Sequence, residues 1–135
     1  MPLYLLDTDI CSYAIKRKQP DLLSKIRAGL LSEAIAISAI TRGELLYGLE
    51  LVPDAKTLKL AVLAFLDTIP CMEWPVSAAD HYAKLRSAQK TTGNLVGYMD
   101  TLIACHALAE DLILVTNNER DFSRIPGLSI ENWAV

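Results

Sequence analysis

The strongest constraint on the fold is a set of short, continuous apolar runs, each stopping abruptly at polar residues. Leu3-Tyr4-Leu5-Leu6 ends at Asp7-Thr8-Asp9, Ala34 to Ser38 ends before Thr41-Arg42-Gly43-Glu44, and Leu112 to Thr116 ends at Asn117-Asn118. Runs this short and apolar on both faces read as strands of a parallel sheet covered on each side. Thr68 to Met72 and Leu128 to Ile130 are weaker candidates. Helical patterns lie between them, over Ile10 to Lys16, Leu22 to Leu30, Arg42 to Leu51, Ala55 to Leu66, Ala78 to Thr92 and Asp100 to Glu110. Alternation of this kind predicts an α/β fold, and 135 residues suit one domain spanning 1–135.

Composition narrows the function classes. No apolar stretch approaches the roughly 20 residues of a membrane span. Met1 to Leu6 carries no basic region or cleavage site of a secretory signal, so a cytoplasmic protein is expected. Cys11, Cys71 and Cys105 are odd in number, far apart and set among apolar residues, which predicts reduced core thiols. His81 and His106 lack the ligand spacing of a zinc site. The net charge of −3 argues against a surface that attracts nucleic acid everywhere, and leaves room for a local basic rim or a cation-filled acidic cleft.

Ligands of parallel α/β sheets bind beyond the carboxyl ends of the strands, so the acids there carry the chemical information. Asp7 follows the first strand directly and sits one residue too early for the natural cap of the next helix, a role that suits Asp9 better. Glu44 starts from an even balance, because Thr41-Arg42-Gly43-Glu44 matches a capping box, yet its helix begins just after the second strand. Asp100 shares a helix face with Ile103, Ala104 and Ala107, so its carboxylate points inward and needs a neutralising partner. After the third strand, Asn118, Glu119 and Asp121 are all candidates that spacing does not separate. Carboxylates gathered in one place repel, and oxygen-only ligands without His or Cys suit Mg²⁺ or Mn²⁺. That chemistry points to metal-dependent phosphoryl transfer.

Four segments then take on a familiar form: Tyr4 to Ile10, Thr41 to Gly48, Gly97 to Ala104 and Leu114 to Phe122. Together, in this order and in a chain this short, they resemble a PIN-domain ribonuclease, and more narrowly the VapC toxins of bacterial toxin-antitoxin pairs. The likeness runs from Met1 to Trp133. It implies a three-layer sandwich with a central parallel sheet flanked by helices, and a Mg²⁺- or Mn²⁺-dependent endoribonuclease acting on tRNA-like or other structured RNA. It further implies a homodimer that its cognate VapB-like antitoxin neutralises in a hetero-oligomer. Asp7, Glu44 and Asp100 match the three acidic positions of the family. Asp121 is taken as the fourth, with Asn118 as a water-mediated contact and Thr8 and Thr116 as supporting hydroxyls. Asp9 stands where relatives usually carry Asn.

The mechanism expected from this has Asp7 and Asp100 holding the principal ion, Glu44 orienting or deprotonating the attacking water, and Asp121 completing the shell. Arg42 and Arg120 are the candidate phosphate contacts. Lys16-Arg17-Lys18 reads as a solvated run. Tyr13, Tyr47 and Tyr98 are candidates for base stacking but are expected to pack in the core. Ile10, Ile15, Leu45, Leu46, Leu49 and Leu58 to Leu66 offer surplus apolar surface for an antitoxin helix or a dimer contact. Two rival readings are a haloacid-dehalogenase-type phosphatase, suggested by Asp7-Thr8-Asp9, and a catalytically inactive PIN-like module that binds RNA or a partner.

Overall fold

The structure is a computed structural model, described over residues 2–134; Met1, where the N-terminal stretch read above begins, and Val135 lie outside them. Five strands, β1 (Tyr4–Leu6), β2 (Ile35–Ser38), β3 (Cys71–Met72), β4 (Ile113–Val115) and β5 (Ile130–Glu131), form one sheet in the order β3-β2-β1-β4-β5. Every pairing is parallel. Seven helices surround it among the described residues: α1 (Thr8–Lys16), α2 (Pro20–Leu31), α3 (Ala39–Glu50), α4 (Lys56–Thr68), α5 (Ala78–Thr92), α6 (Tyr98–Glu110) and α7 (Glu119–Phe122). None of them is long and apolar enough to cross a membrane.

The apolar runs are explained by two cores, one on each face of the sheet. Leu6, Ile35, Ile37 and Val115 pack on one side with Ile10, Leu22, Leu45, Val62 and Leu66, while Leu5 and Leu114 pack on the other with Ile103, Ala104, Ala107 and Phe122. Successive side chains of a strand point to opposite faces, so each strand must be apolar throughout. Gly29 lets α2 lie close on β2, since a Cβ there would stand 2.5 Å from Ile35 Cγ2.

Several element bounds differ from the sequence reading. The third helix starts at Ala39, capped by the Ser38 hydroxyl, which accepts from the Ile40 amide at 3.1 Å. Thr41 is therefore already inside the helix, and the capping box does not form. The first helix is capped by Asp7, whose side chain accepts from the Ile10 amide at 2.9 Å, so the cap expected at Asp9 is two residues too late. Thr68, expected in a strand, closes α4. The short α7 was not anticipated, because four residues leave no periodic pattern. Cys11 and Cys105 are buried as expected, but Cys71 is exposed on the edge strand β3.

The strand order fixes the place where a site can form. From β1 the chain winds outward through β2 and β3 on one side, then returns to lay β4 and β5 on the other. The adjacent carboxyl ends of β1 and β4 are thus a topological switch point, the place where ligands of such sheets bind.

Candidate active site

Asp7 stands at that switch point, straight after β1, and is 3% exposed. Thr116 is its neighbour across the switch point, follows β4, and is fully buried. Burial pushes the Asp7 carboxyl up to about 7, against the stabilising hydrogen bonds from the Thr116 hydroxyl and the Ile10 amide. Asp9 and Asp100 push it further in the same direction. Desolvation outweighs both the helix cap and the hydroxyl.

Asp100 lies in the first turn of α6, where Ile103, Ala104 and Ala107 are fully buried on the same helix, as the sequence pattern requires. Its carboxyl is raised to about 6, first by burial and then by the negative charges of Glu44, Asp9 and Asp121. Glu44, half-buried on α3, is held by α1: the Thr8 hydroxyl donates to its Oε1 at 2.5 Å and stands 3.3 Å from the Thr41 hydroxyl. Asp121 is held by the Asn118 amide, which donates to its Oδ2 at 3.1 Å. The Asn118 backbone amide in turn donates to Thr116 Oγ1 at 2.9 Å.

Acids from β1, α1, α3, α6 and α7 therefore share one field, and the charges that shift Asp7 and Asp100 are all negative. Asp9 belongs to this field, a role the sequence reading missed by assigning it a cap. The signal was present in its spacing, two residues from Asp7 at the start of the same helix. Glu119, the third candidate near Asp121, accepts instead from the Asn132 amide at 3.1 Å. Arg42 is exposed on α3 and lines a hollow with Leu60, Leu63 and Asp67, and its charge acts on Cys71. Arg120 is exposed on α7 between Glu119 and Asp121.

His106 is fully buried, with Nδ1 2.8 Å from Ser38 Oγ, and burial lowers its basicity. It joins α6 to the start of α3 as a neutral side chain and takes no place among the acids.

Among the described residues, no group of three or more His, Cys, Asp or Glu side chains is arranged to hold a metal ion as it stands. The donor chemistry nevertheless fits hydrated magnesium, which keeps several waters and takes only one or two carboxylates directly. Two acids raised chiefly by burial, and further by neighbouring negative charge, are the second sign of that fit.

Residues 4–128 match the PIN domain family model. The chain belongs to the PIN-domain family, and within it to VapC. It is 35% identical to ribonuclease VapC2 of Rickettsia felis over 97% of this chain and 98% of that one. It is 38% identical to the tRNA(fMet)-specific endonuclease VapC of Salmonella typhimurium, over 96% and 97% respectively. The crystal structure of the DNA-bound VapBC complex from Salmonella typhimurium superposes with a TM-score of 0.91 at 34% identity, covering 99% of this chain and 100% of that chain. The PIN fold places its strands and helices as the resemblance implied, with the sheet between two helical layers.

Away from the acids, this PIN domain carries an apolar groove of about 330 Å³ between α1, α2 and α4, with Ile15, Leu23, Leu30 and Phe65 in its walls and Arg17 and Arg27 at its margin. Of the apolar residues read as surplus, Ile10, Leu45, Val62 and Leu66 belong to the core. Ile15, Ala61, Ala64 and Phe65 line the groove. Leu58, Leu60 and Leu63 are exposed.

Proposed function

We propose that this VapC-family protein is a toxic endoribonuclease of the cytosol that hydrolyses phosphodiester bonds in structured RNA with Mg²⁺, or Mn²⁺ in its place, and that a VapB-like antitoxin silences it. The observation that carries the reading is the acidic cluster at the switch point, where Asp7 and Asp100 are raised to about 7 and 6 by burial and by acids from other elements. A fold maintains such repulsion at a cost, and a bound cation relieves it.

Asp7 and Asp100 would supply the ligand oxygens. A divalent ion, when bound there, offsets charge on the phosphate and makes a coordinated water more acidic. Glu44 is oriented through Oε1 by Thr8, which leaves its other oxygen to align the attacking water and take its proton. Asp121, steadied by Asn118, completes the acidic wall. Arg120 and Arg42, both exposed, are the cations assigned to meet RNA phosphates.

The groove between α1, α2 and α4 is the seat we assign to an amphipathic antitoxin helix, with Arg17 and Arg27 meeting acidic residues beside it. The exposed Tyr47 of α3, Leu51 just after it, and Leu60 and Leu63 of α4 form the face we assign to the homodimer.

The test is incubation of the purified protein with total cellular RNA, with Mg²⁺ or with EDTA, followed by sequencing of new 5′ ends. Discrete ends that need Mg²⁺ and vanish in Asp100→Asn are expected. No new ends, or the same ends in that variant, would overturn the reading; tight RNA binding without cleavage would instead identify an inactive binding module.

A further inference from the structure

α6 carries Asp100 in its first turn, yet its N-cap is Gly97, which has no side chain to satisfy that turn. The contacts that fix the start of the helix stand on either side of this glycine. Before it, the carbonyl of the buried Val96 accepts from Arg86 Nη1 at 2.8 Å and from the hydroxyl of the fully buried Thr101 at 3.4 Å. After it, Tyr98 is 65% exposed, against the expectation of core packing, and the Arg86 guanidinium stands 4.2 Å from its ring centroid. Arg86, half-buried on α5, is itself pinned, because the same Nη1 donates to Oε1 of the buried Gln89 at 2.9 Å. One guanidinium therefore grips the chain before and after Gly97, and Asp100 follows two residues beyond the second grip.

A Cβ at Gly97 would meet open space, so packing does not hold the chain at that point, and glycine leaves its backbone free to turn. Each helical residue turns the chain by about 100°, so a change in how α6 starts becomes a rotation of the side chains in its first turn. A hydrogen bond from a charged donor is stronger than a neutral one, and the planar guanidinium fixes its direction as well as its length. We infer that Arg86 is a positioning residue for Asp100: through the Val96 carbonyl and the Tyr98 ring it sets the first turn of α6, and with it the place of the carboxylate. This rests on the ribonuclease reading, in which Asp100 supplies an oxygen to a divalent ion. Such an ion tolerates little error in where its oxygens stand.

The test titrates the full metal-free chain with Mn²⁺ by calorimetry. Arg86→Met keeps the long apolar stem and removes every donor. It is expected to weaken Mn²⁺ binding roughly 10- to 100-fold, the range of one lost hydrogen bond from a charged group, and to speed hydrogen exchange at amides 98–101 while β1 and β4 stay slow. Arg86→Lys, which returns a charged donor to the Val96 carbonyl, should recover part of the affinity. Placed in Asp100→Asn, Arg86→Met should weaken Mn²⁺ binding by no more than about twofold further, because a residue that acts through Asp100 then has nothing left to position. Wild-type affinity in Arg86→Met overturns the inference. A loss of the same size with and without Asp100→Asn overturns it too, since that marks a general loosening of the fold. Should Arg86→Met fail to fold, the exposed Tyr98→Ala, which removes the second grip alone, takes its place with an expected loss of roughly 2- to 5-fold, and unchanged affinity there is equally fatal. A wild type that binds no Mn²⁺ and cleaves no cellular RNA brings down the nuclease reading and this inference together. A wild type that does both, beside an Arg86→Met that binds Mn²⁺ as tightly, removes the inference alone.

Discussion

Replacing Asp7 by Asn should make the metal-free protein more stable and the enzyme inactive. Asp7 is 3% exposed and its carboxyl is raised from 3.8 to about 7, chiefly by burial. The native state therefore keeps a proton that the unfolded chain releases above pH 4. Stability is fully present below that pH and is lost as pH rises through 7. Three pKa units at about 1.4 kcal/mol each set a ceiling of about 4 kcal/mol at pH 7 and above. Asn keeps the cap to the Ile10 amide and meets the Thr116 hydroxyl, and it carries no charge. Urea unfolding in EDTA should show Asp7→Asn more stable by about 2 to 4 kcal/mol at pH 8, and within about 1 kcal/mol of wild type at pH 4. Added Mg²⁺ should narrow the gap at pH 8 by stabilising the wild type alone. A variant no more stable than wild type at pH 8, or a difference that does not change with pH, would refute the reasoning.

Three further outcomes follow from other contacts. Thr8→Val removes the donor to Glu44 and should lower cleavage roughly 10- to 100-fold with the fold retained, the effect of one hydrogen bond to a charged group, as measured by steady-state kinetics and circular dichroism. Gly29→Ala drives a methyl into Ile35 and should cost about 1 to 3 kcal/mol in denaturant unfolding, leaving Mg²⁺-dependent cleavage intact in the folded fraction. Ala64→Glu places a charge in the groove between α1, α2 and α4. It should leave cleavage unchanged while the co-expressed antitoxin no longer rescues growth.

How far the site was legible depended on whether a residue's role is local. Asp7 could be read because a carboxylate ending an apolar strand has one geometric meaning, and Asp100 because its helix face is small and apolar. Glu44 could be placed at the right edge for a partly wrong reason: the helix starts at Ala39, two residues before Thr41, and its cap is Ser38, whose side chain also meets His106 68 residues away. No local pattern reports such a contact. Asp9 was misread because capping statistics favour the residue next to the helical periodicity, whereas the cap is set by β1 delivering Asp7 first. Tyr98 has the letters of a core residue, yet it is exposed, and Arg86, from a different helix, covers one face of its ring. Strands β3 and β5, two residues each, are defined by their partners across the sheet more than by their own letters.

The shared-ion claim is tested most directly by calorimetric titration of the metal-free protein with Mn²⁺ at pH 6.5, repeated in buffers of different ionisation enthalpy. Binding to acids held at about 7 and 6 should release protons, with both the binding heat and the release reduced in Asp7→Asn and in Asp100→Asn. Binding that releases no protons, or that both variants retain at wild-type strength, would show that these carboxylates do not meet around one cation.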